Sequence, residues 1–193
     1  MNNLNGWIVG GILGLILGFI ISPMVFQSDR MINDSKQMMN NIDRYFIEQM
    51  IPHHEGAIEM AELALQKAKQ PEVKSLANGI IEAQQKEITD MKGWYKQWFG
   101  IDVPVVGQHM MNGQMMSGMN HMDSMSGDME TLKNAKDFDF EFVQQMIPHH
   151  EMAVMMAQML QGSTDQTEMK ILADNIITSQ RREIDMMRLW VKE

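Results

Sequence analysis

Residues 43–94 and 139–190 align without a gap at a constant offset of 96, and 24 of those 52 positions are identical. A chain that carries one unit twice is constrained to a fold in which two similar pieces meet or stand apart, joined by a linker. The match is densest at Gln49-Met50-Ile51-Pro52-His53-His54-Glu55 against Gln145-Met146-Ile147-Pro148-His149-His150-Glu151. Seven consecutive identities exceed what shared helical composition produces.

Each unit reads as two helices. Phe46, Met50, His53, Ala57, Met60 and Ala64 recur at alternating spacings of four and three, the pattern of a seam facing a partner helix. Phe142, Met146, His149, Ala153, Met156 and Leu160 repeat it. A second seam runs through Ala77, Ile80, Gln84, Glu87, Met91 and Trp94, matched by Ala173, Ile176, Gln180, Glu183, Met187 and Trp190. Apolar periodicity fails near 67–71 and 161–165, where the hairpin turns belong. Four seams predict an all-α chain, a four-helix bundle built from two repeated helical hairpins. Pro52 and Pro148 fall inside the first seam of each unit: either they sit at a bend within the helix, or each opens the helix proper.

A hairpin turning near residue 69 or 70 sets His53 roughly level with Glu87 and Met50 with Met91, and in the second copy His149 with Glu183. Gln84 and Gln180 join the same layer. Polar groups on apolar seams need partners, because burying one unpaired costs on the order of 2–7 kcal/mol. Two arrangements supply them. Glu accepts hydrogen bonds from His or Gln in a network that fixes register, or His and Met ligate a metal while Glu holds the far imidazole nitrogen or binds the ion itself. His53 and His149 fit the seam better, yet His54 and His150 lie four residues after Met50 and Met146 and share that face. Carboxylate-bridged di-iron bundles place Glu three residues before His. Here that position before the first His holds Met50 or Met146, a soft thioether that favours Cu(I) over a hard ion.

The linker strengthens the soft-metal reading. Residues 107–129 hold eight Met, two His and four Gly with no amphipathic period. His109, Met110, Met111, Met115, Met116, Met119, His121, Met122 and Met125 are candidate ligands, and from Met116 onward four methionines recur every third residue. Cysteine is absent, so thiolate sites and disulfides are excluded. Thioethers need no deprotonation, which suits copper capture in an oxidising compartment. Copper is therefore the expected ion, Cu(I) before Cu(II), with Ag(I) accepted by the same donors. The net charge of −9 and the lack of any Lys/Arg run exclude a nucleic-acid partner.

From Trp7 to Phe26 there are 20 uncharged residues, enough to cross a hydrocarbon layer of about 30 Å as a helix. No basic residue precedes this stretch and no small-residue cleavage site follows it, so a retained transmembrane anchor is favoured over a cleaved signal segment. Gly10, Gly14 and Gly18 recur every four residues, a face through which a homodimer is one expectation. The expected organisation is an anchor or signal segment at 1–28, a first hairpin repeat at 29–100, a Met/His-rich linker at 101–136 and a second hairpin repeat at 137–193.

The duplicated Met-Ile-Pro-His-His, with Ala57-Ile58-Glu59-Met60-Ala61 and Ala153-Val154-Met155-Met156-Ala157 after it and Gln84-x-x-Glu87-Ile88 and Gln180-x-x-Glu183-Ile184 beyond, resembles the domain-of-unknown-function 305 family. The resemblance covers both units and the linker. It implies a ferritin-like arrangement of the four helices and copper sequestration or handover outside the cytoplasm, without catalysis. The ligands it implies are Met50, His53, His54, Met146, His149 and His150. The expected protein is thus a membrane-anchored copper binder whose domain faces the periplasm or cell exterior and passes copper to a transport partner. The alternatives are a ferritin-like metal-dependent oxidase using core His and Glu, and a helical scaffold that binds no metal.

Overall fold

The computed structural model describes residues 22–104 and 128–190, with side chains described from residue 42 onward. The helices are α1 (Ser22–Lys67), α2 (Pro71–Phe99), α3 (Met129–Asn134), α4 (Phe138–Gln161) and α5 (Thr167–Trp190), and no strand occurs among the described residues. The chain divides into two compact units, residues 1–38 and 39–193. Of the first, the described part is the opening stretch of α1. The expected membrane span lies outside the described residues apart from 22–26. Among the described residues no helix is long and apolar enough to cross a membrane.

The second unit consists of the two expected hairpins. α1 and α2 are joined by residues 68–70, and Pro71 opens α2, where its missing N–H leaves no helical bond unmade. Gly100 closes α2 in the left-handed region (φ 72°), its N–H bonded to the Lys96 carbonyl. α4 and α5 are joined by residues 162–166. Pro52 and Pro148 both lie inside their helices, so the reading that made each the first helical residue fails. Each proline removes one backbone bond immediately before the paired histidines. The short α3 falls in the stretch read as linker. Asp128 caps it by accepting from the Thr131 N–H, and Leu132 anchors it in the core.

Packing explains why the seams are where they are. One apolar cluster joins the end of α1 (Ala57 to Ala64) and the start of α2 (Val73 to Ile80) to the start of α4 (Phe138 to Met146) and the end of α5 (Ile184, Met187). The other joins Phe46 to Ile51 of α1 and Ile88 to Tyr95 of α2 to Ala153 to Leu160 of α4 and Met169 to Ile176 of α5. The four long helices therefore share one interior in two apolar halves. The two hairpins run opposite to each other, since the turn end of each meets the open end of the other.

That reciprocity appears in detail at the turns. Gln70, the residue capping α2, offers no side-chain bond of its own. Asp139 at the start of α4 takes the role instead, its carboxylate accepting from the Lys69 N–H at 3.0 Å and the Gln70 N–H at 3.0 Å. Asp43, its counterpart in the first unit, is buried and hydrogen-bonded to Thr164 in the other turn. Burial raises the Asp43 carboxyl pKa, and the Thr164 bond opposes that rise. Neither aspartate was singled out from the sequence, although both stand at the first position of the aligned block. Asp139→Ala is expected to cost about 1–2 kcal/mol in urea denaturation, the worth of a lost helix cap, and Asp139→Asn, which keeps an acceptor, distinctly less.

Candidate metal centre

The gap between the two apolar halves falls at the same level in all four long helices: His53 and His54 in α1, Gln84 and Glu87 in α2, His149 and His150 in α4, Gln180 and Glu183 in α5. The expected polar layer is present. All four histidines are buried, with exposures of 1% for His53, 0% for His54, 5% for His149 and 0% for His150. Both members of each pair thus point inward, which the sequence had left open.

They do different things. His53 and His149 meet at the junction of the two hairpins, ring centroids 3.8 Å apart and planes tilted by 43°. His54 and His150 turn back into their own hairpins. The His54 Nε2 lies 2.7 Å from the Glu87 Oε2, and the His150 Nε2 lies 2.6 Å from the Glu183 Oε2. This corrects the register by one residue: the glutamates pair with the second histidine of each motif. The reason is geometric. His53 and His149 occupy the positions nearest the opposite hairpin, and the next residue along α1 or α4 faces the partner helix of its own hairpin. Ion pairs at equivalent positions, Lys92 with Glu55 and Arg188 with Glu151, flank the layer on both sides and repeat the same symmetry.

The hydrogen bonds fix which nitrogens are free to bind. A carboxylate can only accept, so in the neutral form of either imidazole, His54 or His150, the proton sits on Nε2 and Nδ1 presents a lone pair. Among the described residues, both Nδ1 atoms are buried with no hydrogen-bond partner, as are the Nδ1 of His53 and the side-chain oxygens of Gln84 and Gln180. An imidazole held by a carboxylate on one nitrogen, with the other facing inward, is the arrangement that metal-binding histidines adopt. Met50 and Met146 lie one helical turn before each pair and are fully buried. Among the described residues, no three His, Cys, Asp or Glu side chains gather closely enough to hold a metal ion by themselves. Histidine and carboxylate side chains of the described residues therefore do not complete a site by themselves, and Met50 and Met146 are the soft donors one turn from each pair. His109, Met110, Met111, Met115, Met116, Met119, His121, Met122 and Met125 lie outside the described residues.

Burial, followed by the neighbouring His149, His54 and His150, pushes the His53 pKa from 6.5 down to about 2. His53 therefore stays neutral in the folded protein while it protonates in the unfolded chain. Its contribution to stability is complete above pH 6.5 and is lost as pH falls from there toward 2. Between roughly pH 6 and 4, stability of the metal-free protein is expected to fall by up to about 1.4 kcal/mol per pH unit from this group. Urea titrations at several pH values check the slope, which His53→Gln should flatten.

Known proteins share this arrangement of helices. The structure of CopM in the Cu(II)-bound form matches with a TM-score of 0.69 and 50% identity, covering 78% of this chain and 95% of that one. CopM has also been solved in Cu(I)-bound and Ag-bound forms, each matching at 47% identity and a TM-score of 0.66. A DUF305 fragment from Deinococcus radiodurans matches with a TM-score of 0.59 and 26% identity, over 76% of this chain and 93% of that one. An uncharacterised protein of Acanthamoeba polyphaga mimivirus is 43% identical over 49 residues, a stretch covering 25% of this chain and 32% of the viral protein. Residues 43–191, which hold both hairpins and the histidine layer, match the family described as Domain of unknown function (DUF305), and the chain belongs to that family.

Proposed function

We propose that this protein is a ferritin-like four-helix bundle that binds copper outside the cytoplasm, buffers it, and hands it to a copper-transport partner. The observation that carries the reading is the likeness, at 50% identity over 78% of this chain and 95% of the other, to a protein solved with copper bound. The histidine layer supports it from within this chain. The Nδ1 atoms of His54 and His150 offer nitrogen donors with a thioether one turn away in each hairpin, Met50 and Met146, a mixed donor chemistry suited to Cu(I) and tolerant of Cu(II) or Ag(I), with His53 and His149 beside them. Glu87 and Glu183 orient the imidazoles. The linker methionines, with His109 and His121, supply a second group of soft ligands. Residues 7–26 hold the domain at the membrane surface, and the glycine face of that segment brings two copies together.

The chemistry this arrangement performs is capture and exchange of an ion, and no nucleophile or substrate-bond cleavage enters it. Titration of the full chain with Cu(I) against a chromophoric Cu(I) chelator tests the proposal. Tight Cu(I) binding that weakens when His54, His150, Met50 and Met146 are replaced supports it. Iron binding with oxygen consumption would point to an oxidase, and a chain that binds no metal would leave the layer as a device for holding the bundle together.

A further inference from the structure

We propose a second, surface metal site on α4, formed by the thioethers of Met152, Met155, Met156 and Met159, that takes soft monovalent ions and exchanges them with solvent. The proposal rests on the copper-binding reading and adds a location to it. These four residues stand at i, i+3, i+4 and i+7, the spacing that gathers side chains on one face of a helix with neighbouring Cβ atoms about 5–6 Å apart. Met152 is 37% exposed, Met155 49% and Met159 67%, while Met156 is partly buried against the apolar core. Four thioethers thus cluster at the surface of a rigid helix with their backbone already ordered.

The internal duplication provides a control for packing. The equivalent positions on α1 are Gly56, Glu59, Met60 and Leu63. The same scaffold accepts glycine, a carboxylate and leucine where α4 has methionine, so the bundle does not require three of the four. Only Met60 and Met156 coincide, and these are the two that face inward. An exposed methionine forgoes the roughly 1.5–3 kcal/mol that burial would contribute, so the three outward residues add little to stability. Their shared property is a polarisable sulfur that binds Cu(I) or Ag(I) and discriminates against hard ions. Met155 also borders the groove between α4 and α5, where Glu151 and Asp185 are offset by Arg181 and Arg188. Charge there is balanced, which leaves selectivity to the thioethers.

Thioethers carry no proton at ordinary pH, so this site retains its ion in acid where a histidine site competes with protons. An accessible site of this kind would receive or release copper at the surface, separately from the buried layer.

Ag(I) titration of the full chain labelled with 13C-methyl methionine, followed by NMR at pH 7 and pH 4.5, tests the site. The four methyl signals, assigned through single Met→Leu variants, are expected to shift together at both pH values. Met155→Glu combined with Met159→Leu, which installs the residues that α1 already carries, should remove about one bound ion per chain and leave helicity by circular dichroism unchanged. If the four signals stay fixed while other methionine signals move, the site does not exist and the copper function stands. If no methionine signal moves at saturating Ag(I), both readings are overturned.

Discussion

His54→Ala is expected to destabilise the metal-free protein by about 3–5 kcal/mol, and His150→Ala by a similar amount. Each imidazole is completely buried, and each is bonded to a glutamate whose side chain is only 14% (Glu87) or 18% (Glu183) exposed. Removing the ring leaves a carboxylate largely shut off from water and opens a cavity between two apolar half-cores. Glu87→Gln keeps an acceptor for the Nε2 proton and should cost about 1–2 kcal/mol. Urea denaturation of the three variants checks the order. A loss under about 1 kcal/mol for His54→Ala would mean that the pair contributes nothing beyond packing.

Glu87→Gln together with Glu183→Gln is expected to weaken Cu(I) binding in the histidine layer by about 10–100-fold while the helices stay intact. A carboxylate can only accept, and so it locks the proton on Nε2 and the lone pair on Nδ1. An amide can also donate to Nε2, and the imidazole is then free to move its proton to Nδ1, which removes the lone pair the metal needs. Chelator competition measures the change. Equal affinity in the wild type and the double variant would place the tight site away from His54 and His150.

Much of this arrangement was legible in the sequence because it is periodic and occurs twice. Phe46, Met50, Ala57, Met60 and Ala64 fall on the predicted seam and are all buried, since a 3.6-residue helix leaves few other faces for them. The level of Glu87 was legible only to within one residue. That residue decides whether the glutamate holds His53 or His54, because side chains at adjacent helix positions point about 100° apart. The place of Pro52 and Pro148 within their helices depends on where α1 and α4 begin, which local propensity alone does not determine. Asp43 and Asp139 belong to no motif that the sequence analysis singled out. Their role arises only when the two hairpins meet head to tail, although their identity at equivalent positions was a usable sign. The exposed methionines of α4 were hidden by the abundance of methionine elsewhere and emerged once exposure separated them from Met146 and Met156.

Copper bound through the Nδ1 atoms of His54 and His150 is the central claim, and 15N-histidine spectra of the full chain during Cu(I) titration test it most directly. The Nδ1 resonances of both residues are expected to move as the first equivalents of Cu(I) bind, with the Nε2 protons retained by Glu87 and Glu183. Nδ1 resonances unmoved at saturating Cu(I) would contradict it and leave the four histidines as a structural layer, with copper held by methionine alone.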